Sequence, residues 1–564
     1  MVWLFARAAR ARQSHLGARE GQLLFNSYAF VFGFLPVTVI GFLLLGRHSR
    51  TSALDWLIFA SVFFYAWWRP FNLLIIASSL LANYIFARTL LRLAADKTQQ
   101  RACTIVLSIG ITFNLLLLGY FKYANFGASI VNDVAGTDFI LEQIVLPLGI
   151  SFITFQKIAF LMDVAGGRVK SFTPRELVLF VMFFPQLIAG PIVHFREMMP
   201  QFKVLECRFN PELFAVGLTL FCFGLFKKTV LADGIAQYVT PIYAHAAAGG
   251  DVTLLQAWQA AVGFTLQIYF DFSAYSDMAC GAALLFGIRL PMNFDSPLQA
   301  TNIIDFWSRW HITLTRFLTA YVYNPVALSV TRRRAAAGKP LLRGRASSFA
   351  AYMQVLVAPT VFTMLVSGVW HGAGYTFVIW GLIHGVYLAI NHAWRQYGPK
   401  AEEVGSGRGA LPLTLLGGGL TFVAVAVAMV FFRAPDVHSA INIVQGMAGL
   451  NGISLPNKLS ALIGLSELPT MMLNGSMVYG WAWGIEVASL LALLVIAFFM
   501  PNTLQMLAPH NPAIQLPPRP SRIAILGWEV HWQLTPFWTA VVVVLAAVAI
   551  WRLQGESEFL YWQF

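Results

Sequence analysis

Two polar segments in an otherwise apolar chain contain the residue types that catalysis requires. Residues 366–385 include His371, which follows Trp370 and precedes a Gly-Ala-Gly sequence. An imidazole titrates at about pH 6.5, which suits it to act as a general base toward an alcohol. The small residues after it are expected to leave room for another group to approach the ring. We therefore interpret His371 as a candidate general base, and a hydrogen-bonded structural histidine is the competing interpretation.

The second polar segment, residues 264–326, contains several ionisable or amide side chains in apolar surroundings. They are Asp271, Asp277, Asn293, Asp305, Arg309 and His311. Ionisable groups are expensive to place inside a membrane, so such residues are functional candidates by default. His311, Asn293 and Asp271 are candidates to support a reaction. Asp271 and Asp277 are equally suited to hydrogen-bond neighbouring helices.

Helical spacing predicts two side-chain pairs near His311. Asp305 and Arg309 are four residues apart and can form an ion pair on one helical face, which favours a structural role. Trp307 and His311 have the same spacing, so the indole is expected to pack against the imidazole. Asp305, Trp307 and Arg309 therefore join Trp370 as candidate supporting residues beside the histidines.

Other chemistries lack their residue patterns in this chain. The four cysteines stand singly, and no CxxC, Cys/His pair or HExxH motif occurs, so we expect neither disulfides nor a metal site. A serine hydrolase is not supported, because no GxSxG sequence is present. The net charge of +13 comes without a basic stretch interleaved with aromatic residues, so we expect no nucleic-acid partner.

Composition identifies the setting in which these residues must be positioned. Of 564 residues, 58% are hydrophobic and only 11% are charged, against about 25% charged in an ordinary soluble domain. We predict a polytopic membrane protein with about 11 spanning helices, each of roughly 20 residues, plus re-entrant or interfacial helices. Residues 1–22 are interpreted as a basic leader. Residues 23–564 are interpreted as one integral membrane domain with its motif core at 143–395.

Six blocks of sequence combine polar motifs with apolar runs along the chain. They are LLFNSYAFVFGFLPV (23–37), LPLGISFITFQKIAFLMDV (146–164), FFPQLIAGPIVHF (183–195), NFDSPLQATNIIDFWSRWHITLTRFL (293–318), SGVWHGAGYTFVIWGLIHG (367–385) and VFFRAPDVHSAINIVQGMAG (430–449). In this order, the blocks resemble the membrane-bound O-acyltransferase (MBOAT) family, and within it the bacterial branch of alginate O-acetyltransferase membrane subunits. The resemblance covers nearly everything after the basic leader.

The resemblance implies an all-α polytopic membrane fold with helices around a central tunnel. It matches His371 to the catalytic histidine of the family and His311 to the second active-site position. It further implies that no cofactor is bound and that acetyl-CoA is the donor substrate, which arrives from the cytosol. The expected acceptor is a hydroxyl of an exopolysaccharide or cell-wall glycan, with a periplasmic acetyltransferase partner. The expected location is the bacterial inner membrane, in contact with membrane lipid.

Two alternative functions and one further binding site accompany this interpretation. The same fold could transfer D-alanyl or another acyl group to a teichoic acid-like acceptor. The protein could also be a transporter or flippase that moves an acyl or glycan donor without chemistry. The basic loop at residues 331–345 favours the cytoplasmic side, where Lys and Arg accumulate. Its Arg332, Arg333 and Arg334 are candidates to attract the phosphates of coenzyme A.

Overall fold

The computed structural model describes residues 23–67, 69–139, 141–142, 144–188, 190–344, 347–398, 410–465, 468–473, 476–514, 518–525, 527–553 and 560. The basic leader interpreted at residues 1–22 lies outside the described residues, and so does Arg345 at the end of the basic loop. Within the described ranges the elements are helices, apart from one short hairpin and the connecting loops.

Apolar runs become helices because a chain inside lipid must satisfy its backbone N–H and C=O groups within one segment. The α-helices are α1 (Leu35–Gly46), α2 (Arg50–Ala66), α3 (Asn72–Ala95), α4 (Gln100–Leu118), α5 (Ala124–Ala135), α6 (Ile150–Ala165), α7 (Pro174–Met182), α8 (Phe184–Leu187), α9 (Phe195–Val204), α10 (Pro211–Phe226), α11 (Asp233–Ala247), α12 (Leu254–Leu284), α13 (Ile303–Trp307), α14 (Ile312–Leu318), α15 (Asn324–Ala336), α16 (Phe349–Ala351), α17 (Ala358–His371), α18 (Tyr375–Tyr397), α19 (Ala410–Arg433), α20 (Val437–Met447), α21 (Asn457–Leu462), α22 (Gly480–Phe499), α23 (Thr503–Met506), α24 (Arg522–Ile525) and α25 (Pro536–Arg552). Several begin at a residue whose side chain accepts a backbone N–H, such as Ser49 before α2 and Thr173 before α7.

Shorter elements extend or connect these helices. The π-helical segments are Ala29–Phe34, Gly119–Tyr123, Lys227–Ala232, Thr319–Tyr323 and Tyr352–Val357, and the 3₁₀ turns are Lys97–Gln99, Pro297–Gln299 and Ala508–His510. The hairpin pairs β1 (Met472–Leu473) with β2 (Ser476–Met477) in antiparallel register. A π-helical turn inserts an extra residue and is frequent at functional sites. Three of these segments contain Lys122, Lys228 and Tyr321, whose polar groups bond residues of other helices.

Eight helices among the described residues are long and apolar enough to cross a membrane. They are Ala29–Gly46, Asn72–Ala95, Lys97–Ala135, Pro211–Ala247, Phe349–His371, Tyr375–Tyr397, Thr414–Arg433 and Gly480–Phe499. The prediction of an all-α polytopic membrane protein is confirmed, but the total of about 11 spans is not. Several apolar runs divide into shorter helices. For example, the run at 176–194 is broken at Phe183, whose backbone leaves the helical region before Pro185.

Helix α12 is the central element of the fold. Its 31 residues correspond to a length of about 46 Å. Almost all of its side chains are buried, and it packs against α10, α11, α19 and α20. The two hydrophobic clusters of the core meet along this helix, because its first half belongs to one cluster and its second half to the other.

Basic residues join several helix ends near the end of α12, and we call this region the basic end. Arg289 donates its backbone N–H to Gln201 of α9 over 2.9 Å. Arg50, at the start of α2, donates to the carbonyl oxygen of Lys203 at the end of α9. Lys203 also pairs with Glu176 of α7 at 3.1 Å. The basic end comprises residues 47–50, 166–176, 195–208 and 287–289.

Candidate functional site

His371 is the last residue of α17 and lies in an enclosure of aromatic rings. Its ring centroid is 4.8 Å from that of Trp370 and 5.1 Å from that of Trp380 on α18. A third ring, that of Phe432 on α19, lies 5.2 Å away. His371 is only 4% exposed. Three helices therefore surround the candidate base and exclude bulk water from it.

The turn between α17 and α18 brings the two helices into backbone contact. A Cβ atom added at Gly368 would come within 2.3 Å of the Phe377 carbonyl oxygen, and one added at Gly372 within 2.1 Å of the Phe377 ring. We expected the small residues after His371 to leave room for a reacting group. The Phe377 ring fills the space beside Gly372, and the approach of a reacting group to the His371 ring stays a prediction.

Lys122, in the π-helical segment Gly119–Tyr123, caps the end of α17. Its ammonium donates to the carbonyl oxygen of Trp370 at 2.5 Å and to that of His371 at 3.0 Å. The last carbonyls of a helix have no partner within it and bear partial negative charge, so a cation there is stabilising. Sequence reasoning missed Lys122, since Lys122 and His371 are 249 positions apart and no local pattern connects them.

His311 has a left-handed backbone and directly precedes α14. Its φ is 43°, and a side-chain-bearing residue in this region stores about 1–3 kcal/mol of strain, most often at functional sites. Asn293 Nδ2 donates to Ser276 over 3.2 Å, so the Asn293 Oδ1 atom is the acceptor on the other side. It accepts hydrogen bonds from His311 Nδ1, at 3.1 Å, and from Thr313 Oγ1, at 2.8 Å. Asn293 thereby places the His311 proton on Nδ1 and leaves Nε2 with its lone pair.

The two predicted active-site histidines lie together in the protein interior. The ring centroids of His311 and His371 are 6.2 Å apart, and Phe272 of α12 packs edge-on against His311 at 4.7 Å. Phe272 is about 18 Å from the end of α12 at the helical rise per residue, so the pair lies deep between the two ends of the fold. His311 is outside the eight spanning helices, and burial lowers the pKa of its imidazole to about 3.

His384 and Trp307 extend the enclosure beyond Trp380. The ring of His384 is 4.8 Å from that of Trp380 and is completely buried. Trp307 Nε1 donates to His384 Nδ1 at 3.3 Å, which places the proton of a neutral His384 on Nε2. His384 lies in the same polar segment as His371, but only the packing of α18 against α17 and α13 places it in the site. Trp380 and Phe432 were missed for the same reason.

Four buried polar atoms around His371 have no hydrogen-bond partner within the described residues. They are Trp370 Nε1, Trp380 Nε1, His384 Nε2 and Ser367 Oγ. An unpaired buried donor costs about 1–3 kcal/mol, and native proteins have few of them unless water or a ligand binds there. Donors in such an enclosure can bind a carbonyl oxygen and stabilise the negative charge that develops on it.

The prediction that Trp307 and His311 pack together on one helical face is wrong. Helix α13 ends at Trp307, and a turn separates it from α14, so the two residues do not share a helical face. The turn is stabilised locally, because the hydroxyl of Ser308 donates to the carbonyl oxygen of Asp305 at 2.7 Å. The Trp307 ring contacts Trp380 at 5.8 Å, in addition to its hydrogen bond with His384.

The predicted ion pair between Asp305 and Arg309 is present. Arg309 Nε lies 3.1 Å from Asp305 Oδ1, and Arg519 Nη1 lies 3.0 Å from the same oxygen. The carbonyl oxygen of Arg309 also accepts the backbone N–H of Asp295 at 3.0 Å. These contacts brace the turn that leads to His311, which favours the structural interpretation of the pair.

Asp271 belongs to a buried group of charges on α12 and the neighbouring π-helical segment. Its Oδ1 atom is 2.6 Å from Lys228 Nζ, and Asp233 Oδ1 is 2.7 Å from the same ammonium. Asp277 pairs with Lys227 at 2.9 Å. Asp271 therefore has a structural partner, which agrees with the interpretation that it bonds a neighbouring helical segment. Its support of a substrate stays a prediction.

The basic loop places its three arginines in different surroundings. Arg334 is buried and donates to the Pro340 carbonyl oxygen at 2.7 Å and to Gln354 Oε1 at 2.7 Å. Arg332 and Arg333 are exposed on α15. The contact of these arginines with coenzyme A phosphates stays a prediction.

Two cavities adjoin Trp307 and α14. The polar cavity has a volume of about 390 Å³ and is lined by Arg168, His194, Arg196, Trp307, Ser308, Ile312, Thr315, Arg316, Thr319, Ala320, Tyr321 and Asn324. The apolar cavity has a volume of about 360 Å³ and is lined by Ile304, Trp307, Ser308, Thr315, Leu318, Thr319, Tyr323, Thr360, Thr363, Met364, Leu388 and His392. The shared lining residues make the two cavities neighbours beside the His311 helix.

The described residues form an integral membrane protein in which spanning helices surround a buried pair of histidines. Beside this candidate site lie hydrogen-bond donors without a partner among the described residues. Residues 168–338 match the family described as MBOAT, membrane-bound O-acyltransferase. The chain is also 38% identical over 462 residues to the peptidoglycan O-acetyltransferase of Helicobacter pylori. The matched region covers 77% of this chain and 81% of that protein. The chain belongs to the membrane-bound O-acyltransferase family and is an O-acyltransferase.

Two further relatives extend the similarity over more of the chain. The probable alginate O-acetylase AlgI of Pseudomonas aeruginosa is 33% identical over 581 residues, covering 96% of this chain and 100% of that protein. The probable alginate O-acetylase AlgI of Azotobacter vinelandii is 35% identical over 459 residues, covering 80% of this chain and 83% of that protein. The resemblance to the family that the six sequence blocks indicated is confirmed.

Replacing Lys122 tests whether the cap of α17 positions His371. Lys122→Met is expected to lower kcat by about 10- to 100-fold, because two charge-assisted hydrogen bonds to the end of the helix are lost. Lys122→Arg retains a cation and should retain more activity. The measurement is kcat at saturating donor, together with the melting temperature. Normal kcat in a folded Lys122→Met variant would show that the cap has no part in the reaction.

Removing the carboxylate of Asp305 is expected to harm folding more than chemistry. Asp305→Ala leaves Arg309 without its partner and should lower the free energy of unfolding by about 1–3 kcal/mol. Asp305→Ala combined with Arg309→Ala should recover part of that loss, while Arg519 stays hydrated. Thermal unfolding and specific activity are measured for both variants. A single variant of normal stability without activity would instead place Asp305 in the reaction.

Proposed function

We propose that this protein transfers an acetyl group from acetyl-CoA to a hydroxyl group of an exopolysaccharide or cell-wall glycan in the bacterial inner membrane. The observation that supports this most is the buried pair of His371 and His311, with unpaired donors around it, in a membrane-spanning fold. The names of the peptidoglycan and alginate relatives support both the acetyl group and the glycan acceptor. The proposed reaction needs no bound cofactor.

In the proposed reaction, His371 accepts the proton of the acceptor hydroxyl as its oxygen attacks the thioester carbonyl carbon. The new C–O bond forms and the C–S bond breaks. The thiolate of coenzyme A leaves and takes the proton back from His371. General base catalysis of this kind contributes roughly 10²–10⁴-fold to the rate.

The residues around His371 would stabilise and orient the reacting groups. Trp380 Nε1 and His384 Nε2 would donate to the carbonyl oxygen as negative charge develops on it, and one such donor contributes roughly 10²–10³-fold. His311 would help to orient the acceptor by accepting, through Nε2, a hydrogen bond from another donor group of that molecule, because Asn293 holds the His311 proton on Nδ1. In these roles, His311 and His384 each act in the tautomer that their hydrogen bonds with Asn293 and Trp307 favour.

The two substrates would reach the histidines from opposite sides of the membrane. We assign the basic end to the cytoplasm, because Lys and Arg accumulate in cytoplasmic loops, and acetyl-CoA would enter there. The acceptor hydroxyl would arrive from the other end of the fold. It would belong either to the glycan or to a periplasmic acetyltransferase partner that passes the acetyl group on.

The proposal is tested with purified protein in lipid nanodiscs and acetyl-CoA labelled in the acetyl group. We expect release of coenzyme A that depends on an added hydroxyl acceptor, with the label recovered on peptidoglycan fragments, a polyuronate or a periplasmic partner protein. The His371→Ala variant is the negative control for this assay. Transfer from a D-alanyl donor but not from acetyl-CoA would overturn the proposed donor. Movement of label across the membrane without thioester cleavage would overturn the enzymatic function.

A further inference from the structure

The polar cavity of about 390 Å³ is lined by three arginines from three separate parts of the chain. Arg168 follows α6, Arg196 is in α9 and Arg316 is in α14. Arg168 and Arg196 belong to the basic end, and Arg316 reaches it by pairing with Glu197 of α9. The cavity therefore presents a cationic surface at the basic end, which we assign to the cytoplasm.

Arg316 uses only part of its guanidinium within the protein. Its Nη2 atom donates to Glu197, whereas its Nη1 atom is buried and has no hydrogen-bond partner within the described residues. A buried charged donor without a partner is costly, so a ligand with an acceptor oxygen is expected there. The planar fork of a guanidinium matches the oxygens of a phosphate group.

Hydrogen bonds hold the remainder of the cavity wall in place. Arg168 Nη1 donates to Asp163 Oδ1 at 2.9 Å, and the Tyr321 hydroxyl donates to the same oxygen at 2.9 Å. His194 Nδ1 lies 3.2 Å from that hydroxyl. Arg196 is exposed, and no ion pair engages it in the part of the chain that the structure describes. One arginine is thus held in position, and another stays available to a ligand.

The cavity also reaches the histidine helix. Ile312, the residue after His311, lines it, and so does Thr315 one turn later on α14. Trp307 lines the same cavity and contacts Trp380, which lies against His371. A ligand with its charged groups at the arginines could therefore extend an uncharged arm along α14 toward the two histidines.

We propose that the polar cavity binds the phosphate groups of coenzyme A, with Arg316 and Arg196 as the ligands and Arg168 as a neighbouring cation. The inference rests on the proposed function, since it names where that donor is held. The headgroup of an anionic phospholipid has the same phosphate chemistry, and the experiment separates the two sources. The site differs from the one that the sequence indicated at Arg332, Arg333 and Arg334.

The test compares two donors that differ in the nucleotide that carries the phosphates. Acetyl-CoA has the phosphorylated nucleotide, and S-acetylpantetheine has the same thioester arm without it. In nanodiscs of neutral lipid, Arg316→Gln and Arg196→Gln are expected to raise the KM for acetyl-CoA by roughly 10- to 100-fold. They should leave kcat and the kinetics with S-acetylpantetheine nearly unchanged. Arg101→Gln, an exposed arginine at the start of α4, is the matched control.

Binding is measured separately so that the inference does not depend on turnover. Coenzyme A is titrated into the His371→Ala variant. It should bind more weakly when the same chain also contains Arg316→Gln or Arg196→Gln. If wild-type protein transfers from neither donor, the proposed function fails, while loss of coenzyme A binding in the arginine variants would still support the site. Equal losses with both donors would show that the arginines only stabilise the fold and would overturn the inference.

Two further outcomes would also overturn it. The first is loss of coenzyme A binding in Arg332→Gln or Arg333→Gln but not in Arg316→Gln or Arg196→Gln, which would place the phosphates on α15. The second is a difference between wild type and the cavity variants that appears only when phosphatidylglycerol is added to the nanodiscs. That result would assign the cavity to a lipid headgroup. Arg316→Lys, which retains a cation, should recover part of the affinity for coenzyme A.

Discussion

His371→Ala is expected to abolish acyl transfer while the protein stays folded in the membrane. The imidazole is the only group at the end of α17 that could take the acceptor proton in the proposed reaction, and its loss removes roughly 10²–10⁴-fold of general base catalysis. The enclosure of Trp370, Trp380 and Phe432 stays in place, because the ring is at the end of its helix. The measurement is acceptor-dependent release of coenzyme A, with melting temperature as the folding control.

Two further variants make this result specific. His371→Gln retains hydrogen-bonding capacity but cannot accept the proton, so it should fail as His371→Ala does. His311→Asn should retain measurable activity, because its predicted role is to orient a substrate. Near-normal activity in His371→Gln would exclude general base catalysis by this residue. Complete loss in a folded His311→Asn variant would indicate that both histidines are essential.

Lys228→Met is expected to destabilise the protein more than any substitution in the site. Its ammonium lies between Asp271, at 2.6 Å, and Asp233, at 2.7 Å, and its side chain is only 2% exposed. Removal of one partner from a buried charge group leaves uncompensated charge and typically costs about 3–5 kcal/mol. Thermal unfolding in the same detergent and the yield of inserted protein measure the effect.

A matched lysine separates this effect from the loss of any cation. Lys170 is exposed in the connection before α7, so Lys170→Met should unfold like the wild type. Lys228→Met combined with Asp271→Asn should recover stability, because one buried negative charge disappears with the positive one. Equal melting temperatures for Lys228→Met and Lys170→Met would contradict a structural role for the buried group of charges.

The sequence alone determined the membrane setting and identified the two histidines as candidates. Apolar runs long enough to span lipid predicted a polytopic helical protein, because backbone groups in lipid must bond within a helix. The motif blocks placed His371 and His311 in one site, and these two rings do lie together. The ion pair predicted for Asp305 and Arg309 forms, although Arg309 lies in the turn after α13 and not on the same helical face.

Tertiary structure decided what surrounds those histidines. Lys122 meets the end of α17, and Trp307 meets His384, only because helices far apart in sequence pack together. The polar cavity likewise joins Arg168, Arg196 and Arg316 from three elements. Periodicity reports which face of one helix is apolar, but it contains no information on which helix lies opposite. The helical spacing on which the Trp307 prediction depended ends before His311, which has a left-handed backbone. Asn293, 18 residues earlier in the same sequence block, contacts the His311 ring.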